Sequence, residues 1–148
     1  MAYRTENETA HFDFEDAVIS EIRQGLSTLH LILDNVKILP ENSTNRDIRT
    51  MRANGLDLAI TSAKITAFVE EGYTVFDADG KLLREVPDRL IPKEEWQQAF
   101  SDLQAATLDG LSRDGSTYCV AIRTEDHTAR LEIMGDGDTE EWDRYLNL

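Results

Sequence analysis

The chain's 148 residues are 41% hydrophobic and 30% charged, and 29 acidic side chains against 15 basic ones leave a formal charge of −14. Leucine, isoleucine and valine along the whole length exclude a disordered acidic tail, and a surface this negative repels nucleic acid and anionic lipid while attracting basic partners. One domain over residues 1–148 is expected, able to bury roughly 70% of its unfolded surface, and the single Cys119 excludes an internal disulfide.

The N-terminus, Met1 to Glu8, lacks the apolar stretch of a secretion signal, so the cytoplasm is the expected compartment. Residues 17–33 read two ways. Val18, Ile22, Leu26, Leu29 and Leu33 fit a helical stripe, whereas Leu29, Leu31 and Leu33, followed by Val36 and Ile38, alternate as strands do. Gly25 would cost a helix interior about 1 kcal/mol, and Asp34-Asn35 interrupts the alternation as a bend or bulge would, which favours strands. Asp34, Asn35 and Lys37 also break the run Leu29 to Leu39, far short of the roughly 20 apolar residues of a membrane helix. Pro40 to Asp47 is the richest linker in the chain.

Leu56, Leu58 and Ile60 recur at period two, as do Ile65, Ala67 and Val69, which implies two further strands before Glu71-Gly72 turns the chain. Tyr73 to Phe76 and Lys81 to Val86 then flank Asp77-Ala78-Asp79-Gly80, a hairpin turn whose aspartates can bond nearby amides and whose Gly80 can take positive φ. Pro92 to about Ala105 is the clearest helix, with proline at its start, Glu94 and Glu95 at its positive end, and a Trp96, Phe100, Leu103 stripe. Tyr118, Val120 and Ile122 alternate with Cys119, Ala121 and Arg123; after a polar turn, Ala129, Leu131 and Ile133 alternate with Arg130 and Glu132. Each strand thus has one buried and one wetter face. The expected fold is mainly β, an antiparallel sheet or sandwich with one covering helix; α+β is the alternative.

Half of the acidic excess falls between Glu125 and Asp143, where eight carboxylates meet only Arg130 as a fixed cation. Asp136, Asp138, Glu140 and Glu141 are expected to be exposed there and to form the surface that a basic protein partner would meet. Trp142 and Tyr145 are expected to dock the C-terminus onto the domain, because two aromatics and Leu146 carry apolar area to bury.

Phe12-Asp13-Phe14-Glu15-Asp16-Ala17, Asp34-Asn35-Val36, the run Glu71 to Gly80 and Trp142-Asp143-Arg144-Tyr145-Leu146-Asn147 together resemble a family of small bacterial proteins labelled lantibiotic (subtilin) biosynthesis sensor proteins. The resemblance spans most of the chain and implies kinship without mechanism. A sensor kinase needs an ATP-binding domain and a phosphoacceptor helix, for which this chain has neither the length nor the glycine-rich segments, so no functional residue is carried over.

The remaining constellations assign no catalytic, cofactor or metal residue. An EF-hand starting at Asp136 would need glycine at Glu141 and a bidentate acid at Asn147, and one starting at Asp77 would have Leu82 in the glycine position. His11, His30, His127 and Cys119 lack zinc-ligand spacing. Cys119 sits in a strand that suits an inert thiol, and no G-x-S-x-G presents a serine. Adjacent carboxylates such as Glu140-Glu141 point to opposite faces of a strand, and Arg46, Arg49 and Arg52 are too few for a nucleic-acid stripe. The reading that follows is a non-enzymatic, acidic, cytoplasmic protein-binding or adaptor domain with no cofactor. The alternatives are an immunity-like inhibitor of a basic toxin, or a small-ligand-binding domain with a pocket lined by Trp96, Tyr73 and Tyr118.

Overall fold

The computed structural model describes residues 3–45 and 48–148; the expectations placed on Met1, Ala2, Arg46 and Asp47 lie outside them. Among the described residues there are fifteen strands and one short α-helix: β1 (Tyr3–Glu6), β2 (Phe12–Asp13), β3 (Val18–Gln24), β4 (Thr28–Asp34), β5 (Val36–Ile38), β6 (Met51–Ala53), β7 (Leu56–Thr61), β8 (Lys64–Glu70), β9 (Tyr73–Phe76), β10 (Leu82–Val86), β11 (Arg89–Leu90), α1 (Trp96–Asp102), β12 (Thr107–Asp114), β13 (Thr117–Arg123), β14 (Thr128–Met134) and β15 (Gly137–Trp142). All pairings are antiparallel. Ten strands form one sheet in the order β1-β15-β7-β4-β3-β12-β13-β14-β8-β11, with a two-stranded β9-β10 ribbon and a three-stranded β2-β5-β6 sheet beside it.

The small sheets are bent continuations of the large one. Leu33 faces Leu56 in β4-β7 and Val36 faces Ala53 in β5-β6, so the register passes unchanged through a bend at Asn35, whose φ of 59° fits a residue type that tolerates the left-handed region. Asp34 Oδ1 accepts from the Gly55 amide and Asn54 Oδ1 from the Asn35 amide, each at 2.8–2.9 Å, which ties the two bent chains together. In the same way Thr61 faces Gly137 in β7-β15 and Lys64 faces Met134 in β8-β14. That ribbon folds at Ser62-Ala63 and Gly135-Asp136 and carries the sheet over on itself as a sandwich.

The inward faces of the two halves share one core. Leu29, Leu31, Leu33, Leu56, Leu58 and Ile60 come from β4 and β7, and Leu108, Tyr118, Val120, Ile122, Leu131 and Ile133 from β12, β13 and β14. Period-two alternation places them there, as the sequence suggests, and residues 18–34 are two strands around Gly25-Leu26-Ser27. In β8 a register shift opposite Glu132 and Ile133 breaks the alternation, so Phe68 and Val69 are buried and Ala67 is only half-buried. The helix is shorter than its sequence pattern. A 3-10 turn over Lys93–Glu95 precedes α1, and Leu103 closes it. Phe100 stacks on Phe68 of β8 at 5.3 Å while α1 packs on β3, so the helix covers the mouth of the sandwich between these strands.

The C-terminus docks as expected. Trp142 is fully buried, stacked on Tyr3 and edge-on to Phe12 and Tyr145, all with ring centroids 5.6–5.8 Å from its own. Leu146 exchanges backbone hydrogen bonds with Arg52, which fastens the tail to β6.

Candidate functional site

The acidic stretch at the C-terminus is a strand, and its alternation divides the four candidate carboxylates between two environments. Asp136 is exposed and Glu141 half-exposed, whereas Asp138 and Glu140 are 2% and 0% exposed. This corrects the expectation of a continuous acidic surface. Asp138, Glu140 and Trp142 occupy the same face of β15, and the burial of Trp142 draws both carboxyls inward.

Inside, the strand meets a polar network. Asp138 Oδ1 accepts from the Tyr118 hydroxyl at 2.6 Å and from Arg113 at 2.9 Å. Arg113 also bonds Asn7 Oδ1 at 2.7 Å and lies over the Tyr118 ring at 5.2 Å. Glu140 Oε1 accepts from the Thr5 hydroxyl at 2.7 Å. Two buried oxygens, Asp138 Oδ2 and Glu140 Oε2, find no donor among the described groups. A proton on Glu140 satisfies both by making Glu140 a donor to Asp138. Burial accordingly pushes the Glu140 carboxyl up to about 9, aided by the hydrogen bond with Asp138. Desolvation, then the bond to Asp138, raises the Tyr118 phenol above its ordinary value. The network joins β1, β12, β13 and β15, and its work is to hold the N-terminal strand and the two halves of the sandwich together.

The other sequence candidates do not converge. His30 on β4 pairs with Asp57 on β7, Nδ1 to Oδ1 at 2.9 Å; His11 pairs with Glu8, and His127 with Asp126. Cys119 lies in mid-strand on β13, as expected, with its side chain on the exposed face. Trp96, Tyr73 and Tyr118 line no common pocket: Tyr118 is in the core, Tyr73 is outside it, and Trp96 on α1 donates Nε1–H to the Ile91 carbonyl at 3.0 Å. A cleft of about 340 Å³ beside α1 is lined chiefly by Glu21, Arg23, Gln24, Gln97, Ser101 and Gln104 around Phe100.

What the sequence pattern does not signal is the exposure of the β9-β10 hairpin. The β8-β11 pair continues into β9-β10 without change of register, Glu70 facing Arg89 and Tyr73 facing Val86, through a bend at Glu71-Gly72 and Pro87-Asp88. A side-chain carbon on Gly72 would lie 1.9 Å from the Val86 carbonyl oxygen, so only glycine fits, and its amide bonds Asp88 Oδ1 at 2.7 Å. Beyond the bend the ribbon is an arm. None of residues 73–90 is buried, and five of the nine large hydrophobic residues exposed among the described residues are here: Tyr73, Phe76, Leu82, Leu83 and Leu90. Phe76 faces Leu82 across one side of the ribbon; on the other, Arg84 lies over the Tyr73 ring at 5.5 Å and bonds its hydroxyl. The tip is closed by Asp77, whose Oδ1 accepts from the Asp79 and Lys81 amides, both at 2.9 Å, with Gly80 at φ 82°.

No protein-family model, curated protein or solved structure matches this chain.

Proposed function

We propose that this chain is a non-enzymatic protein-binding domain that meets its partner through the β9-β10 arm. The observation that carries the reading is the concentration of Tyr73, Phe76, Leu82 and Leu83 on a ribbon that the core does not cover. A two-stranded ribbon is at best marginally stable by itself in water, and clustered exposed apolar side chains mark contact surfaces. Aromatic residues flanked by aliphatic ones and by an arginine also match the make-up of interface centres. The acidic carboxylates that stay at the surface, Asp136 and Glu141, lie outside the arm and contribute long-range attraction at most.

Affinity capture from the source cells with the wild type, with Phe76→Asp/Leu83→Asp and with Asp136→Asn/Glu141→Gln tests the assignment. The arm variant should lose a stoichiometric partner that the surface-charge variant keeps. Retention by the arm variant would move the binding surface elsewhere.

A further inference from the structure

We infer that Asn54-Gly55 is a self-modification site, at which the folded chain converts Asn54 into a cyclic succinimide and then into aspartate and isoaspartate. The site is separate from the arm. It lies in the bend that carries β6 into β7, both of its residues are exposed, and Asn54 is the one asparagine of the chain that precedes a glycine.

Three groups stand where that reaction needs them. The nucleophile is the Gly55 amide nitrogen, which follows Asn54 directly and needs no encounter, and residue 55 has no side chain to hinder its approach to the Asn54 side-chain carbonyl carbon. The base is Asp34, whose Oδ1 accepts from the Gly55 N–H at 2.8 Å. Asn54 Oδ1, where negative charge develops, accepts from the Asn35 amide at 2.9 Å and from Arg52 Nη1 at 3.4 Å. The two bonds that tie the bent chains together thus also supply a base and an oxyanion donor.

The step balances with water as its only co-reactant. As the Gly55 nitrogen bonds the side-chain carbonyl carbon, its proton passes to Asp34 and the charge gathers on Oδ1, facing the Asn35 amide and Arg52. Collapse breaks the carbon bond to Asn54 Nδ2, which takes the proton back from Asp34 and leaves as ammonia. Water then opens the ring at either carbonyl, giving aspartate or isoaspartate. Either product sets a new carboxylate near Asp34, where like charges repel, and isoaspartate adds a carbon to the main chain. The modification therefore loosens the tie between the two bent chains.

Incubation of the full chain at neutral pH, followed by digestion with trypsin and mass spectrometry of the fragment 53–64, tests the inference. The folded protein should exchange NH for O at Asn54 faster than a synthetic 53–64 peptide does, yield isoaspartate as well as aspartate, and take the new oxygen from isotopically labelled water. Asp34→Asn keeps an acceptor for the Gly55 amide but not the base, and should slow the exchange at least roughly tenfold. If that variant fails to fold, the comparison of the folded wild type with the free peptide decides by itself. An Asn54 that outlasts the free peptide overturns the inference, because the fold then protects the bond instead of activating it. So does a rate that a folded Asp34→Asn leaves unchanged, or a product that is aspartate alone.

Discussion

Glu140 stands two residues from Asp138 on the inward face of β15, and one proton serves the two buried oxygens they leave over. The consequence is a pH dependence of stability. Burial holds the Glu140 pKa at about 9, against about 4.3 in an unfolded chain, so between these values the folded protein keeps a proton that the unfolded chain has released. Stability from this group is full below about pH 4 and is lost as pH rises toward about 9, by up to roughly 1.4 kcal/mol per pH unit. Glu140→Gln keeps a donor for Asp138 and an acceptor for Thr5 without the titration. Its melting temperature should match the wild type near about pH 5 and exceed it increasingly toward pH ~9. Parallel curves for the two proteins would show that Glu140 is not held protonated.

Trp142 closes the core against Tyr3, Phe12 and Tyr145. Trp142→Ala should cost about 3–5 kcal/mol, measured by urea denaturation, since a large buried aromatic leaves a cavity. Deletion of residues 142–148 should destabilise further by releasing the Leu146–Arg52 bridge. A truncated protein with the wild-type midpoint would remove the tail from the account of stability.

Gly72 bears the bend that sets the arm apart. Gly72→Ala forces a carbon against the Val86 carbonyl and should cost about 1–3 kcal/mol, as overpacking does. Faster amide exchange should accompany it on both sides of the bend, at residues 69–74 and 86–90. An unchanged exchange pattern would mean that the bend relaxes freely.

Gly80→Ala at φ 82° should cost about 1 kcal/mol whether or not calcium is added, because the Asp77 carboxylate is already engaged by two amides of the turn. Stabilisation of the wild type by calcium, lost on Asp79→Ala, would instead make the turn a metal loop.

Most of the β framework is legible from alternation, because Leu29, Leu31, Leu33 and Tyr118, Val120, Ile122 each bury one full face. Phase breaks are less so: the register shift in β8 depends on its partner strand, and the sequence offers only a displaced phenylalanine. The buried carboxyls are hidden by composition, since Asp138 and Glu140 sit in the most acidic stretch of the chain. The one available signal is their two-residue spacing from Trp142, which shares their face once 137–142 is recognised as a strand. The hairpin Tyr73–Val86 is plain in the turn chemistry, but whether a strand pair lies on a core or projects from it depends on a bend of two residues on each chain, and the apolar content of β9 and β10 suggests cover that the fold does not provide.

Photocrosslinking in the source cells tests the role of the arm most directly. A photoreactive amino acid is placed at Phe76 or Leu83 on the arm, or at Leu26, equally exposed at the β3-β4 turn. The arm positions should yield discrete protein adducts, and Leu26 should yield none. Adducts from Leu26 with none from Phe76 and Leu83 would contradict an arm that carries the binding function.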